Sequence, residues 1–159
     1  MNKYISVIVA LIAVTFSACA QLKVSKSKEI SYVSYERTAC FGRCPTYMVE
    51  VYKNGLVRYT GRQFTEYTGV YEKNIGAKKA QGILKQYATK QADTCKDYYD
   101  NNIQDLPGLI YGFKIGNKDK KIANANFGPK FLEILALDVD KVAKPDKTWK
   151  KIKDATPAQ

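Results

Sequence analysis

Residues 40–61 constrain the fold of this 159-residue chain more than any other stretch. The stretch opens with Cys40-Phe41-Gly42-Arg43-Cys44-Pro45, which places two cysteines four positions apart and a proline directly after them. Residues 46–53 then alternate between apolar and polar side chains, Asn54-Gly55 follows, and residues 56–64 alternate again. Asn-Gly between two alternating segments indicates a β-hairpin with a type I′ turn, in which both central residues have positive φ. The sequence therefore predicts a hairpin directly behind a small cysteine loop.

Hydrophobic periodicity predicts the elements on either side of this hairpin. Strands are followed by a helix twice over, without strand–helix–strand alternation. This order argues for an α+β fold of about β4-α-β2-α, with an antiparallel sheet and two helices packed on one face. The predicted strands are Ile30–Thr38, 46–53, 56–64, Thr65–Lys73, Leu109–Ile115 and Lys121–Asn126, and the predicted helices are Ala77–Gln91 and a second one opened by Pro129.

The N-terminus indicates export. A positive Met1-Asn2-Lys3 precedes an apolar stretch from Tyr4 to Phe16, which has the length of a signal peptide's hydrophobic region. Ser17-Ala18-Cys19 resembles a bacterial lipobox, in which the cysteine becomes lipid-modified, whereas small residues also permit ordinary cleavage before Gln21. An uncleaved anchor is the third alternative. We favour lipidation at Cys19, which predicts a membrane-anchored lipoprotein of the bacterial cell envelope that faces the periplasm, in a leaflet that the sequence does not assign.

Composition predicts the boundaries of four segments of the chain. Residues 1–19 are predicted to be the signal peptide, and residues 20–29 are a Lys- and Ser-rich tether. Residues 30–143 form one domain, which is the natural count for this length. Residues 144–159 are predicted to be a loosely held basic tail with a single Trp149.

The absence of histidine and the charge of the chain limit the classes of function. No histidine occurs in the sequence, which excludes Ser-His-Asp and Cys-His nucleophiles and removes the commonest zinc and copper ligand. Any enzyme here would need a carboxylate, Lys, Tyr or Cys mechanism, and we favour a non-enzymatic domain without a cofactor. The formal net charge of +11 favours anionic partners, such as lipid headgroups or acidic glycans, or a protein partner in the envelope. Export disfavours nucleic acid.

The cysteines suggest a disulfide. In an oxidising envelope, Cys40 and Cys44 are predicted to pair with each other and to leave Cys95 as a free thiol. The alternative is thiol–disulfide exchange or Cu(I) handling by the same two residues, because Cys-x-x-x-Cys-Pro also occurs in copper-delivery proteins of the thioredoxin fold. Those proteins use a distant histidine as a third ligand, which this chain lacks.

Arginine and tyrosine side chains on the predicted sheet are the candidate ligand-binding residues. Such side chains can stack on sugar rings or hold anionic groups, although tyrosine is also a common strand residue. The aspartates between Asp93 and Asp105, which include Asp97 and Asp100, do not have the spacing of an EF-hand. We therefore expect no metal site. The candidate ligand-binding residues are Arg43, Arg58, Tyr59 and Arg62.

Two linked motifs carry a resemblance to a known family. Cys40-Phe41-Gly42-Arg43-Cys44-Pro45-x-Tyr47, followed by Asn54-Gly55-x-Val57-x-Tyr59-x-Gly61, resembles the domain-of-unknown-function 6438 family of exported bacterial proteins. The resemblance covers about residues 30 to 143, with further matches at Arg37, Asp105-Leu106-Pro107 and Pro129. It implies one compact domain, often behind a lipoprotein signal. The family has no assigned activity, so the resemblance transfers no catalytic residues.

Together these observations predict an exported domain of the cell envelope. Its leading interpretation is a lipid-anchored, non-enzymatic binding or structural module. The alternative is a thiol–disulfide or Cu(I)-handling protein that uses Cys40 and Cys44.

Overall fold

The computed structural model describes residues 29–99 and 106–154. Within them, the chain forms seven β-strands, two α-helices and two short 3-10 turns. In chain order these are β1 (Ile30–Arg37), β2 (Thr46–Tyr52), β3 (Leu56–Gln63), β4 (Gly69–Asn74), α1 (Ala77–Thr89), a 3-10 turn (Ala92–Thr94), β5 (Leu109–Ile115), β6 (Lys118–Ile122), a 3-10 turn (Ala125–Phe127), α2 (Lys130–Asp140) and β7 (Lys150–Lys153).

All seven strands belong to one antiparallel sheet with the order β6-β5-β1-β2-β3-β4-β7. Both helices pack against the same face of this sheet, which we call the helix face; it carries Val33, Tyr35, Val49, Val57 and Tyr111. The other face, which we call the open face, is not covered by any helix of the described residues. The α+β prediction with an antiparallel sheet is confirmed.

Aromatic side chains join the sheet to both helices. The Tyr87 ring of α1 lies 5.7 Å from Tyr111 and 5.3 Å from Phe113, measured between ring centroids. The Tyr87 hydroxyl donates a hydrogen bond to the Leu135 carbonyl of α2 at 3.3 Å, and the Tyr111 hydroxyl donates one to the Leu132 carbonyl. Each ring pair adds about 0.5–1.5 kcal/mol beyond the burial of its area. The two carbonyl bonds fix the position of α2 on the sheet.

Both helices form where the spacing of apolar residues predicts them. In α1 the buried positions are Ala80, Ile83, Leu84 and Tyr87, and α2 begins directly after Pro129. Proline suits this position because its fixed φ fits the start of a helix. Neither of these helices is long and apolar enough to span a bilayer, within the part of the chain that the structure describes.

The turn between β2 and β3 differs from the predicted type I′ turn. Gly55 has a positive φ of 98° but Asn54 does not, and the Gly55 amide donates to the Tyr52 carbonyl at 2.9 Å. The connection is thus a three-residue loop that ends in glycine, another common hairpin form. A Cβ on Gly55 would lie 2.6 Å from the backbone of Gly76. Close packing of this turn against the residue before α1 therefore requires glycine here.

The return strand of the second hairpin lies earlier than predicted. Gly116-Asn117 forms a tight turn with Gly116 at φ 58°, so pairing resumes at once between Ile115 and Lys118. The prediction placed this strand at Lys121–Asn126 because Lys118 to Lys121 has no apolar alternation. The turn geometry, rather than side-chain periodicity, sets the register of β6.

The C-terminal segment also differs from the prediction of a loosely held tail. Trp149 is only 7% exposed, and β7 pairs with β4 through Tyr71 and Lys151 and through Glu72 and Lys150. The sequence does not reveal this strand because Lys-Lys-Ile-Lys is short, exposed and without a hydrophobic period. Hydrogen bonding to the free edge of β4 makes it a strand. Residues 155–159 lie outside the described residues.

Candidate functional site

A groove of about 500 Å³ runs across the open face over β2, β3, β4 and β7. It exists because alternate residues of β2 and β3 point away from the helices and β7 extends the sheet beyond β4. Its floor is mainly apolar and its sides are charged. The open-face groove is lined by Met48, Glu50, Arg58, Thr60, Gly61, Arg62, Val70, Ile152, Lys153 and Asp154.

Glu50 is the most deeply placed charged group of the groove, with a side chain only 11% exposed. Its carboxylate accepts hydrogen bonds from the hydroxyls of Tyr32 at 3.1 Å and Tyr52 at 2.9 Å, and Arg58 lies 3.7 Å away. Burying a carboxylate costs free energy, and ion pairing and hydrogen bonds must offset this cost. Burial, with the hydrogen bond to Glu50, raises the pKa of Tyr52, so this phenol stays a protonated donor at neutral pH.

Arg58 is held in place by two carboxylates. Its Nε donates to Glu72 at 2.8 Å, and another of its nitrogens lies 2.7 Å from the same oxygen. The hydrogen bond to Glu72 raises the pKa of Arg58, although burial opposes this rise. With Glu50 on its other side, Arg58 already has its charge balanced within the chain. Arg58 therefore helps to fix the shape of the groove and is not a free cation for a ligand.

Two other cations of the groove are less constrained. Arg62 pairs with Glu36 across the sheet surface, and its side chain is 38% exposed. An exposed ion pair of this kind contributes only about 0–1 kcal/mol, so a ligand can compete for the guanidinium. Lys153 forms no ion pair with the described residues, whereas the neighbouring Asp154 is paired with Lys151 at 2.6 Å. Arg62 and Lys153 are thus the groups that an anionic ligand would meet.

A second polar cluster lies on the helix face, where the end of α2 meets β1 and β2. Asp140 accepts hydrogen bonds from the hydroxyls of Tyr47 at 2.8 Å and Tyr35 at 3.2 Å, and Arg37 lies 3.4 Å from it. Arg37 Nε also donates to the Tyr47 hydroxyl at 3.0 Å. We call these four residues the Asp140 cluster. It ties three elements together at one corner of the domain.

The two phenols of the Asp140 cluster, Tyr35 and Tyr47, stay protonated at neutral pH. Burial raises the pKa of Tyr35 and of Tyr47, and the adjacent negative charge of Asp140 raises both further. A phenol with a raised pKa is a weak nucleophile and a weak general acid at neutral pH. The cluster therefore acts as a structural tie between α2 and the sheet.

Cys40 and Cys44 form a disulfide in the loop between β1 and β2, with their Cα atoms 5.7 Å apart. Gly42 within this loop has a φ of 149°, and its amide donates to the Cys40 carbonyl at 2.9 Å. The Phe41 side chain at the tip is 88% exposed. Cys95 is buried and free. The disulfide closes a small loop at the end of the sheet opposite the start of β1.

The structure brings together two of the four candidate ligand-binding residues. Arg58 and Arg62 both line the open-face groove. Tyr59 lies on the opposite face, where it is buried and stacks on Tyr47 with ring centroids 5.5 Å apart. Arg43 is exposed in the disulfide loop, with its guanidinium 5.6 Å from the Phe64 ring centroid. Cys19 lies outside the described residues.

Sequence reasoning did not single out several residues of these sites. Glu50 could have been noticed as a carboxylate between apolar neighbours on the outward face of an alternating strand. Lys153 gave no signal because β7 was not predicted. Asp140 directly follows the apolar stripe of α2, but only its contacts show that it turns toward the sheet.

The described residues contain no group of three or more His, Cys, Asp or Glu side chains that could hold a metal ion. Of the acidic loop, Asp97 pairs with Lys120 and thereby secures the loop to β6. Asp100 and Asp105 lie outside the described residues.

The fold and the motif residues can be compared with known proteins. Residues 31–143 match the family model described as Domain of unknown function (DUF6438). The chain belongs to this family. Comparison with curated proteins found no match. In this DUF6438 domain, two residues that carried the resemblance, Arg37 and Tyr47, belong to the Asp140 cluster, and a third, Tyr59, stacks on Tyr47.

Proposed function

We propose that this DUF6438 domain is an exported, lipid-anchored binding module of the cell envelope that holds an anionic ligand group in the open-face groove. The observation that carries the proposal is the pair of accessible cations, Arg62 and Lys153, beside an apolar floor. The two carboxylates of the lining, Glu50 and Asp154, are each paired within the chain. An incoming anion is therefore not repelled by an unbalanced carboxylate at these positions.

The organisation of the groove supports binding rather than turnover. Its tyrosine neighbours are protonated at neutral pH, and burial raises the pKa of Tyr32 and Tyr52 further above the ordinary value. Its deepest acid, Glu50, accepts hydrogen bonds from both phenols and lies beside Arg58. Groups that are fully engaged with one another define a rigid surface, which lowers the entropy cost of binding.

Site-specific photo-crosslinking in intact cells tests this proposal. A photo-reactive amino acid in place of Thr60, on the groove floor, should give a defined adduct. The same amino acid in place of Glu133, on the exposed side of α2, should not. The adduct should weaken strongly when Arg62→Ala and Lys153→Ala are added, because the ligand loses both accessible cations.

A charge-matched pair is the control for this experiment. Lys144→Ala with Lys147→Ala removes the same net charge from exposed positions outside the groove and should leave the Thr60 adduct unchanged. An adduct that both double variants weaken equally would reflect overall charge and would contradict the groove as the binding site.

Anchoring is tested separately. Cys19→Ala should move the protein from the membrane fraction to the soluble fraction, because the acyl chains are attached at this residue. A wild-type protein that already fractionates as soluble would contradict the lipid anchor and favour cleavage before Gln21.

A further inference from the structure

All the charged residues on the exposed side of α1 are lysines. The helix contains Lys78, Lys79 and Lys85, with Lys90 at its C-terminal cap, and no Asp or Glu from Ala77 to Thr89. These four lysines are exposed and form no ion pair with the described residues. Elsewhere in the domain, many cations are balanced by a neighbouring carboxylate, as in the pairs of Arg58, Arg62 and Lys120. We call the four lysines the α1 basic face.

One lysine of the α1 basic face, Lys85, lies beside the point where the chain enters the domain. Glu29, at the end of the predicted tether, lines a cavity of about 410 Å³ together with Gln81 and Lys85 of α1. The Glu29 carboxylate pairs with Lys53, and its carbonyl accepts a hydrogen bond from Gly116 at 3.1 Å, so this entry point is fixed to the sheet. A membrane anchor upstream of residue 29 would therefore hold α1 close to the bilayer.

We infer that the α1 basic face docks on the headgroups of anionic phospholipids in the membrane to which the chain is tethered. This inference rests on the proposed anchor and adds an orientation to it. A lysine near an anionic bilayer surface strengthens docking about fivefold, so four lysines together strengthen it on the order of several hundredfold. Because α1 packs on the helix face, docking through its exposed side turns the open-face groove away from the bilayer.

The tether and the lysines act together. A short flexible linker gives the domain a high effective concentration at the surface, so even weak contacts by the lysines become populated. The predicted tether itself contains Lys23, Lys26 and Lys28 and is therefore also basic. A soluble acidic protein would gain no such advantage from the position of α1 next to the anchor.

Fluorescence of the full-length chain in vesicles of two compositions tests the orientation. An environment-sensitive fluorescent amino acid replaces Gln86, on the exposed side of α1, or Thr60, in the open-face groove. The vesicles are phosphatidylcholine alone or an equal mixture of phosphatidylcholine and phosphatidylglycerol. The probe at Gln86 should respond to the anionic vesicles and not to the neutral ones, and the probe at Thr60 should respond to neither. The Gln86 response should disappear in about 1 M salt, where the Debye length falls to about 3 Å.

Two quadruple variants with equal net charge complete the test. Lys78→Gln, Lys79→Gln, Lys85→Gln and Lys90→Gln should reduce the docked population on the order of several hundredfold and abolish the Gln86 response. Lys121→Gln, Lys144→Gln, Lys147→Gln and Lys150→Gln change exposed lysines away from α1 and should preserve it.

Three results would overturn the inference, and each identifies a different failure. Protein that is not recovered with vesicles of either composition would show that the anchor has failed. Recovered protein without a Gln86 response, or with an equal response to both lipid mixtures, would show that the α1 basic face does not dock. A response of the Thr60 probe instead would show that the open face is the membrane surface.

Discussion

Asp140 joins the C-terminal end of α2 to the strands β1 and β2. Its carboxylate receives hydrogen bonds from two tyrosines of β1 and β2 and lies beside Arg37. Nothing in the local sequence requires this, since an aspartate at the end of a helix is unfavourable next to the negative end of the helix dipole. The contacts with the sheet outweigh that local cost.

Asp140→Ala should lower the free energy of unfolding by about 1–3 kcal/mol, because it removes the carboxylate that accepts from Tyr47 and from the buried Tyr35 and that balances the charge of Arg37. Asp138→Ala is the matched control. Asp138 lies on the same helix and, among the described residues, its ion pair is with Lys141 at 2.7 Å, so its loss should cost less than about 1 kcal/mol. Urea unfolding measures both. Equal losses would mean that the Asp140 cluster does not secure α2.

Cys40 and Cys44 allow the structural and thiol interpretations to be separated. If the disulfide only shapes the loop, Cys40→Ser with Cys44→Ser should lower the free energy of unfolding by about 2 kcal/mol, the chain-entropy value for so small a ring. Urea unfolding of the folded variant should show this loss, while the Thr60 adduct stays unchanged.

The thiol alternative predicts a different result for the same residues. Reduced wild-type protein would then bind Cu(I) tightly or exchange with glutathione faster than a model dithiol, and Cys44→Ser alone would abolish this. We expect neither activity, because no histidine is present to assist. Tight Cu(I) binding that is lost in Cys44→Ser would replace the structural interpretation with the thiol one.

At the scale of elements, α1 carries charges that oppose its own stability. Lys78 and Lys79 lie in its first turn, at the positive end of the helix dipole, and no acidic residue is present there. A helix selected only for stability would favour carboxylates at these positions. The arrangement is consistent with an external anion that compensates the lysines.

Charge reversal at the two ends of α1 should have opposite effects on stability. Lys78→Glu should raise the free energy of unfolding by about 0.3–1 kcal/mol, whereas Lys90→Glu at the other end should lower it by a similar amount. Both variants change the net charge equally, so their difference isolates the helix dipole. Thermal or urea unfolding at low ionic strength measures it, and effects of the same sign would contradict this account of α1.

At the scale of the whole molecule, buried tyrosines make the fold sensitive to alkaline pH. Burial raises the pKa of Tyr59 to about 12 and raises the pKa of Tyr35, Tyr87 and Tyr111 as well. In the unfolded chain, tyrosine titrates near pH 10. Above that value the unfolded state loses protons that the folded state still holds, so the free energy of unfolding falls as pH rises.

Below about pH 10 the contribution of these tyrosines to the free energy of unfolding is therefore fully present and independent of pH, and above it this contribution should be lost progressively. The expected slope is about 1.4 kcal/mol per pH unit for each tyrosine that titrates only after unfolding. Tyr59 contributes up to about pH 12, where it ionises in the folded state as well. Urea unfolding across this range, followed together with tyrosinate absorbance, measures the effect. Because exposed tyrosines ionise at about pH 10 in any case, the burial of these rings would be contradicted if all twelve tyrosines ionised at about pH 10 without unfolding.

The sequence alone determined the features that depend on near neighbours. Alternation predicted β1 to β3, spacing by three and four residues predicted both helices, and the order of elements predicted an antiparallel α+β fold. Pairing of Cys40 with Cys44 followed from their spacing and the expected compartment. Each of these features depends on local backbone preference or on the burial of one face of an element. Both can be read from a short stretch of sequence.

Tertiary structure alone decided the features that depend on contacts between distant segments. The strand β7 exists because β4 offers it a free edge, and the turn at Gly55 takes its form because Gly76 packs against it. The open-face groove needs Arg62 and Lys153, which are 91 positions apart in the sequence, and Asp140 meets Tyr35 only once α2 is packed on the sheet. These contacts form only when folding brings together groups that are far apart in the sequence, so a short window of sequence does not predict them.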